Sequence, residues 1–147
     1  MAILQSGYID AQRTNASARS SRLYKDISLS FERNLATQDI IQKTDIEAVK
    51  QSVRNLILTN HYERPFHPEI GSSVRSILFE PINPITASTL TRLIGEVIAN
   101  FEPRARLVGV DARPNFDDNA YEVTISFYVI NIPGELVNLD VMLERSR

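Results

Sequence analysis

The side chains with the widest chemical range fall in one short segment, His61-Tyr62-Glu63-Arg64-Pro65-Phe66-His67-Pro68-Glu69-Ile70-Gly71, which holds both histidines of the chain. His61-x-Glu63 and His67-x-Glu69 would be the ligand pairs of a metal centre. Two residues apart on a proline-broken loop, however, they match no standard pattern such as two histidines one helical turn apart, and no metal or cofactor is expected. Glu63, Glu69, Glu80 and Glu102 could supply the two carboxylates of a glycoside hydrolase, but any acidic protein offers such pairs. There is no Gly-x-Ser-x-Gly elbow, no glycine-rich phosphate loop and no cysteine to act as nucleophile, thiolate ligand or disulfide half. These residues name no reaction.

Such groups need elements to hold them. Composition bounds what those can be: 147 residues close one core of ordinary size, and a formal net charge of -2 speaks against a nucleic-acid groove or an anionic membrane as the main partner. No apolar run approaches the roughly 20 residues that span a bilayer. Met1-Ala2-Ile3-Leu4 is too short for a signal-peptide core, so the chain reads as soluble and made in the cytoplasm. Residues 1–22 are rich in Ser, Arg, Asn, Gln and Ala and cannot close a core; they read as an extended or disordered arm that carries Arg13, Arg19 and Arg22, ahead of a single domain over 23–147.

Within that domain, residues 23–31 alternate, and the spacing predicts a half-buried strand with Leu23, Ile27, Leu29 and Phe31 on its inner side. A connection follows in which Leu35, Ile40 and Ile41 touch the body. Thr44-Asp45-Ile46-Glu47 fits a capping box, and Ile46, Val49, Val53, Leu56 and Ile57 then form one helical stripe. In the histidine loop, Phe66 and Ile70 are expected to pin the segment to the core while Glu63 and Arg64 face outward. Residues 72–79 read as a short helix closed by Glu80-Pro81. The third helix is predicted to start with Thr86 as its cap, with Ile85 stapled to Leu90, and to bury Leu90, Leu93, Ile94, Val97, Ile98 and Phe101. Gly95 is expected on its exposed face, beside an Arg92–Glu96 pair.

Pro103 ends that helix, since it lacks an amide proton and disfavours helical geometry in the residue before it. Beyond it, residues 105–113 read as a central strand with apolar side chains on both faces. Tyr121, Val123, Ile125, Phe127 and Val129 alternate inward along the next strand, and Val137, Leu139, Val141 and Leu143 along the last, after a turn at Asn131-Ile132-Pro133-Gly134. The order is one N-terminal strand, three helices and three antiparallel strands: an α+β fold with helices on one face of a sheet.

The series Glu63-Arg64-Pro65-Phe66, Pro68-Glu69-Ile70-Gly71-Ser72, a helix, then Phe101-Glu102-Pro103-Arg104 running into a strand resembles the sheath-initiator family of baseplate wedge proteins. That family belongs to contractile-tailed bacteriophages and related contractile injection machines, including type VI secretion. The resemblance implies a structural virion protein of the tail baseplate, assembled in the host cytoplasm, and not an enzyme. Its implied partners are baseplate wedge proteins, the sheath subunit and the tail tube, with multiple copies in a sixfold ring and no nucleic acid or membrane. By position, Glu102, Pro103 and Arg104 match the family's wedge-contact motif, and Arg64, Pro65 and Phe66 its loop motif. The resemblance further implies that sheath polymerises by adding strands to the sheet, and the last strand, with Val137, Leu139, Val141 and Leu143, is the expected edge. The competing readings are a lysozyme-like peptidoglycan hydrolase and an adaptor of an unrelated assembly.

Overall fold

The computed structural model describes residues 24–35, 38–132, 134 and 136–145; the expected arm over 1–22 lies outside them. Its elements run β1 (Lys25–Ile27), β2 (Gln42–Thr44), α1 (Asp45–Leu58), α2 (Val74–Ile77), α3 (Pro84–Phe101), β3 (Ala105–Asn115), β4 (Ala120–Val129) and β5 (Val137–Glu144). The last three strands form an antiparallel sheet in the order β3-β4-β5, and β1 pairs with β2 as a separate hairpin. The α+β architecture therefore stands as expected. No helix among the described residues is long and apolar enough to cross a membrane.

The core lies between the helices and one sheet face. Val49, Val53 and Ile57 of α1 and Leu90, Ile94 and Ile98 of α3 pack with Tyr121, Val123, Ile125 and Phe127 of β4 and the inward residues of β5. Every second residue of β5 is buried, as the alternation requires of a sheet covered on one face. All these residues are apolar and close-packed, so the sheet and the two long helices behave as one unit.

Several local expectations are corrected. The N-terminal strand is three residues long, and it turns the other face inward: Ser28 is buried while Ile27, Leu29 and Phe31 are exposed. A period of two separates the faces of a strand without saying which is inner, and here tertiary hydrogen bonds decide. The Ile27 carbonyl accepts from Gln51 Nε2 of α1 at 2.7 Å, and the Ser28 amide donates to the Ile41 carbonyl at 2.9 Å. Leu35 is exposed, and the segment expected to be a plain connection ends in the second hairpin strand, β2.

Thr44 stands at the N-cap of α1 but makes no side-chain cap bond, because it is the last ladder residue of β2. Asp45 instead exchanges bonds with Tyr24: its amide donates to the Tyr24 carbonyl at 2.8 Å and its Oδ1 accepts the Tyr24 amide at 3.3 Å. Helix α3 begins three residues earlier than expected, with Asn83 in place of Thr86 as its cap. Asn83 Oδ1 accepts the Thr86 amide at 2.8 Å, and Pro84 sits in the first helical turn, where a missing amide proton costs nothing. Ile85 is consequently exposed rather than stapled to Leu90. Gly95 is half-buried against β3, where a Cβ would lie 3.6 Å from Leu107 Cδ2.

β3 is an edge strand, not a central one. Its apolar residues on both faces come from a β-bulge between Leu107 and Gly109, which throws Val108 outward and resets the alternation.

The histidine loop is closed at its base by a parallel bridge between Asn60 and Ser72, with the Ser72 amide donating to the Thr59 carbonyl at 2.8 Å and Ser72 Oγ to the Ile57 carbonyl at 2.6 Å. Gly71 makes this closure possible: its φ is +155°, and a Cβ there would lie 2.6 Å from the Asn60 carbonyl carbon. Gly71→Ala should therefore lower unfolding free energy by about 1–3 kcal/mol in urea titration; an unchanged midpoint would contradict the clamp.

Candidate interface corner and sheet edge

The corner after α3 is built around a buried charge. Glu102 caps the helix, its amide donating to the Ile98 carbonyl at 3.0 Å, and its carbonyl accepts the Ala105 amide at 3.1 Å, so the chain reverses tightly through Pro103 and Arg104. The Glu102 side chain turns inward and is only 3% exposed. Arg104 holds it with two parallel bonds, Nε to Oε1 at 2.7 Å and Nη2 to Oε2 at 2.8 Å, the bidentate geometry that suits guanidinium and carboxylate. Ser52 Oγ of α1 donates a third bond to Oε2. Behind the pair, the Arg104 guanidinium lies over the Tyr24 ring, 5.6 Å from its centroid. Tyr24 Oη donates to the Ile130 carbonyl at 2.9 Å, and the Ile130 amide donates to the Arg104 carbonyl at 2.9 Å.

Burial alone would push the Glu102 carboxyl up, but the bonds from Arg104 and Ser52 and the Arg104 charge outweigh it and hold the group below its ordinary value. The Arg104 guanidinium is raised in turn, chiefly by its bond to Glu102. This is the reverse of what glycoside hydrolysis asks of an acid, whose carboxyl must stay protonated near neutral pH.

The three residues expected at a wedge interface therefore divide. Glu102 faces the interior, Pro103 is exposed, and the Arg104 side chain is about one-third accessible, at 33%. Substituting both charged residues by alanine, the mutation that the family resemblance first invites, would remove an internal cross-link between α1, α3 and the hairpin as well as any contact outside.

The loop motif divides too. Arg64 lines a cleft with Asp26, Ser52, Ile70 and Phe101, which brings it beside the corner. Phe66 does not pin the loop: it is 96% exposed, with a φ of 68°, and Ile70 is half-buried. Pro65 is exposed beside it. Glu63 Oε2 accepts the Asn60 amide at 2.8 Å, and His67 Nδ1 lies 3.1 Å from Glu69 Oε1. Among the described residues no three His, Cys, Asp or Glu side chains are grouped to hold a metal.

β5 forms the other open edge of the sheet. Val137, Leu139, Val141 and Leu143 point their side chains into the core. Their backbone groups are engaged as well, because paired residues in an antiparallel ladder alternate between exchanging both bonds and exchanging none. The Arg145 amide bonds back to the Asn119 carbonyl at 3.1 Å, which sets the odd-numbered residues toward β4. The Asp140 carbonyl instead accepts from Arg54 Nη2 at 3.3 Å, on the outer side. The groups an added strand would meet therefore belong to Asn138, Asp140 and Met142, a refinement that side-chain alternation cannot reveal.

Arg104→Ala strands the buried Glu102 charge and should cost about 3–5 kcal/mol at neutral pH. Because the folded-state carboxyl is depressed, its stabilisation is present above the ordinary value of 4.5 and is lost as pH falls through the lower folded value. Urea titrations at pH 7 and about pH 3 should show the Arg104→Ala cost shrinking in acid; an equal cost at both would contradict the ionised pair.

Residues 43–133 match the family model described as baseplate wedge protein gp25, a span that takes in the loop and the corner and stops short of β5. The baseplate wedge protein gp25 of Enterobacteria phage T4 is 32% identical over 129 residues, covering 88% of this chain and 97% of that protein. A chain in the baseplate of the anti-feeding prophage superposes with a TM-score of 0.64 at 26% identity, covering 75% of this chain and 88% of its own. A Geobacter sulfurreducens protein named provisionally as a tail lysozyme superposes with a TM-score of 0.66, covering 74% of this chain and 97% of its own, but at 22% identity that likeness carries the fold alone. By the family match and the phage T4 relative together, this chain belongs to the baseplate wedge protein gp25 family.

Proposed function

We propose that this chain, as a structural component of a contractile-tail baseplate, binds neighbouring wedge proteins at its Pro103-Arg104 corner and starts the tail sheath by accepting a sheath strand on β5. The family supplies the baseplate, and a wedge protein of that kind supports a structural reading of this chain. The observation that supports the sheath step is the outer edge of β5: eight residues, in unbroken register with β4, whose outward backbone groups pair with no further strand among the described residues. An added strand gains main-chain hydrogen bonds there at little geometric cost. β3, the opposite edge, is worse suited, because its bulge and Pro114 interrupt the row of donors. Copies arranged in a sixfold ring around the tail tube would present six such edges in the plane where the first sheath ring forms.

At the wedge contact, Pro103 offers a rigid exposed turn and Arg104 a guanidinium already oriented by Glu102, so little side-chain entropy is lost on docking. Pro103→Asp should leave the urea midpoint nearly unchanged and weaken capture of wedge proteins. Full capture with that variant would remove the corner from the interface.

Deleting β5 would strip four buried side chains from the core and unfold the protein. Met142→Pro is the cleaner test, since it removes one outward amide from an exposed position on an edge strand, where proline is tolerated. With wedge partners, tube and sheath subunit mixed in vitro, electron microscopy should show sheath growing on wild type and on Met142→Ala but not on a folded Met142→Pro. Equal growth on all three would exclude strand addition at β5.

A further inference from the structure

The edge of β5 does not stand free in solvent. A groove of about 350 Å³ runs beside it, with Asn138 and Asp140 on one side and residues of β2 and α1 on the other. That opposite wall is mainly cationic, with Lys43, Lys50 and Arg54 set along it against a single acid, Glu47. Glu47 is held by Lys50 at 3.3 Å. The Asp140 carboxylate accepts Thr124 Oγ1 at 2.8 Å on the outer sheet face. Among the described residues no carboxylate lies within ion-pair distance of Lys43 or Arg54. Arg54 instead bonds the outward carbonyl of Asp140.

From this arrangement we infer that the groove selects an acidic strand: the segment that adds to β5 carries carboxylate side chains directed at Lys43 and Arg54. The inference rests on the proposal that β5 accepts a strand, and adds the chemistry of what it accepts. An incoming backbone amide takes over the Asp140 carbonyl, releasing Arg54. The freed guanidinium and Lys43 then face the side chains of the new strand on the helix side, where acids are attracted and bases repelled. While the groove is empty, Arg54 satisfies the exposed acceptor and makes the edge less available to indiscriminate pairing.

The test uses the full chain with an eight-residue strand fused after Arg147 through a flexible Gly-Ser linker, which supplies an effective concentration high enough to populate weak pairing. One fusion alternates Val with Glu, another Val with Lys, and a third carries the linker alone. Amide hydrogen exchange at Asp140 and Met142 is read by NMR. The Glu strand should slow exchange about tenfold more than the Lys strand, and Lys43→Glu with Arg54→Glu should reverse that order. Salt near about 0.5 M, where screening acts within a few ångströms, should shrink the difference. Equal protection by both strands would overturn the charge selection while leaving strand addition standing. Protection by neither would overturn strand addition at this edge, and the inference with it. Stronger protection by the Lys strand on the wild-type chain would contradict the inference directly.

Discussion

A buried carboxylate must be compensated where it lies, and in this protein much of the architecture meets at that requirement. Glu102 is removed from water at the point where the long helix gives way to the sheet, and its bonds come from Arg104, two residues on, and Ser52 on another helix. Arg104 in turn rests on Tyr24 of the N-terminal hairpin, which reaches the far end of β4 through Ile130. One ionised group thus ties together α1, α3, the hairpin and the sheet. Apolar packing supplies most of the stability, but it is non-directional; the bidentate pair gives the corner a defined geometry.

That geometry decides what the sheet offers to its surroundings. With α3 anchored at the start of β3, α1 lies alongside β5, and the open side of β5 becomes one wall of a groove. The two edges of the sheet are treated differently. β3 is bulged, contains Pro114 and carries Arg106, Asp111 and Arg113, features that discourage pairing, whereas β5 is regular and, among the described residues, is screened by the Arg54 side chain. Such an asymmetry favours directed growth in the proposed assembly, because two equally open edges would invite self-association.

Much of this was legible in the chain. The 3.6-residue stripe of α1 and the alternation in β4 and β5 were clear because each has one face in the core and one outside. Pro103 marked the corner for a steric reason independent of context. The family resemblance rested on Glu63 to Ser72 and Phe101 to Arg104, and both segments prove to be tightly organised turns. What could not be read was which side of a feature faces in. The short β1 has apolar residues on its outer face because hydrogen bonds from α1 hold the other one; Phe66 looked like an anchor and is a tip; Val108 looked like a sign of two-sided burial and is the extra residue of a bulge. Glu102 matches a wedge-contact motif by position, yet its bonds to Arg104 and Ser52 turn it inward. For β1 the deciding contact lies far along the chain, where Gln51 of α1 bonds the Ile27 carbonyl, beyond the reach of local pattern.

The most direct measurement is a cryo-EM reconstruction of the assembled baseplate carrying its first sheath ring, at a resolution that traces backbone. A strand from the sheath subunit should continue the sheet beyond β5, paired to the backbone groups of Asn138, Asp140 and Met142, with Glu102 still bound to Arg104 inside the corner. A sheath strand paired to β3, or a first ring seated on this chain with β5 unpaired, would contradict it.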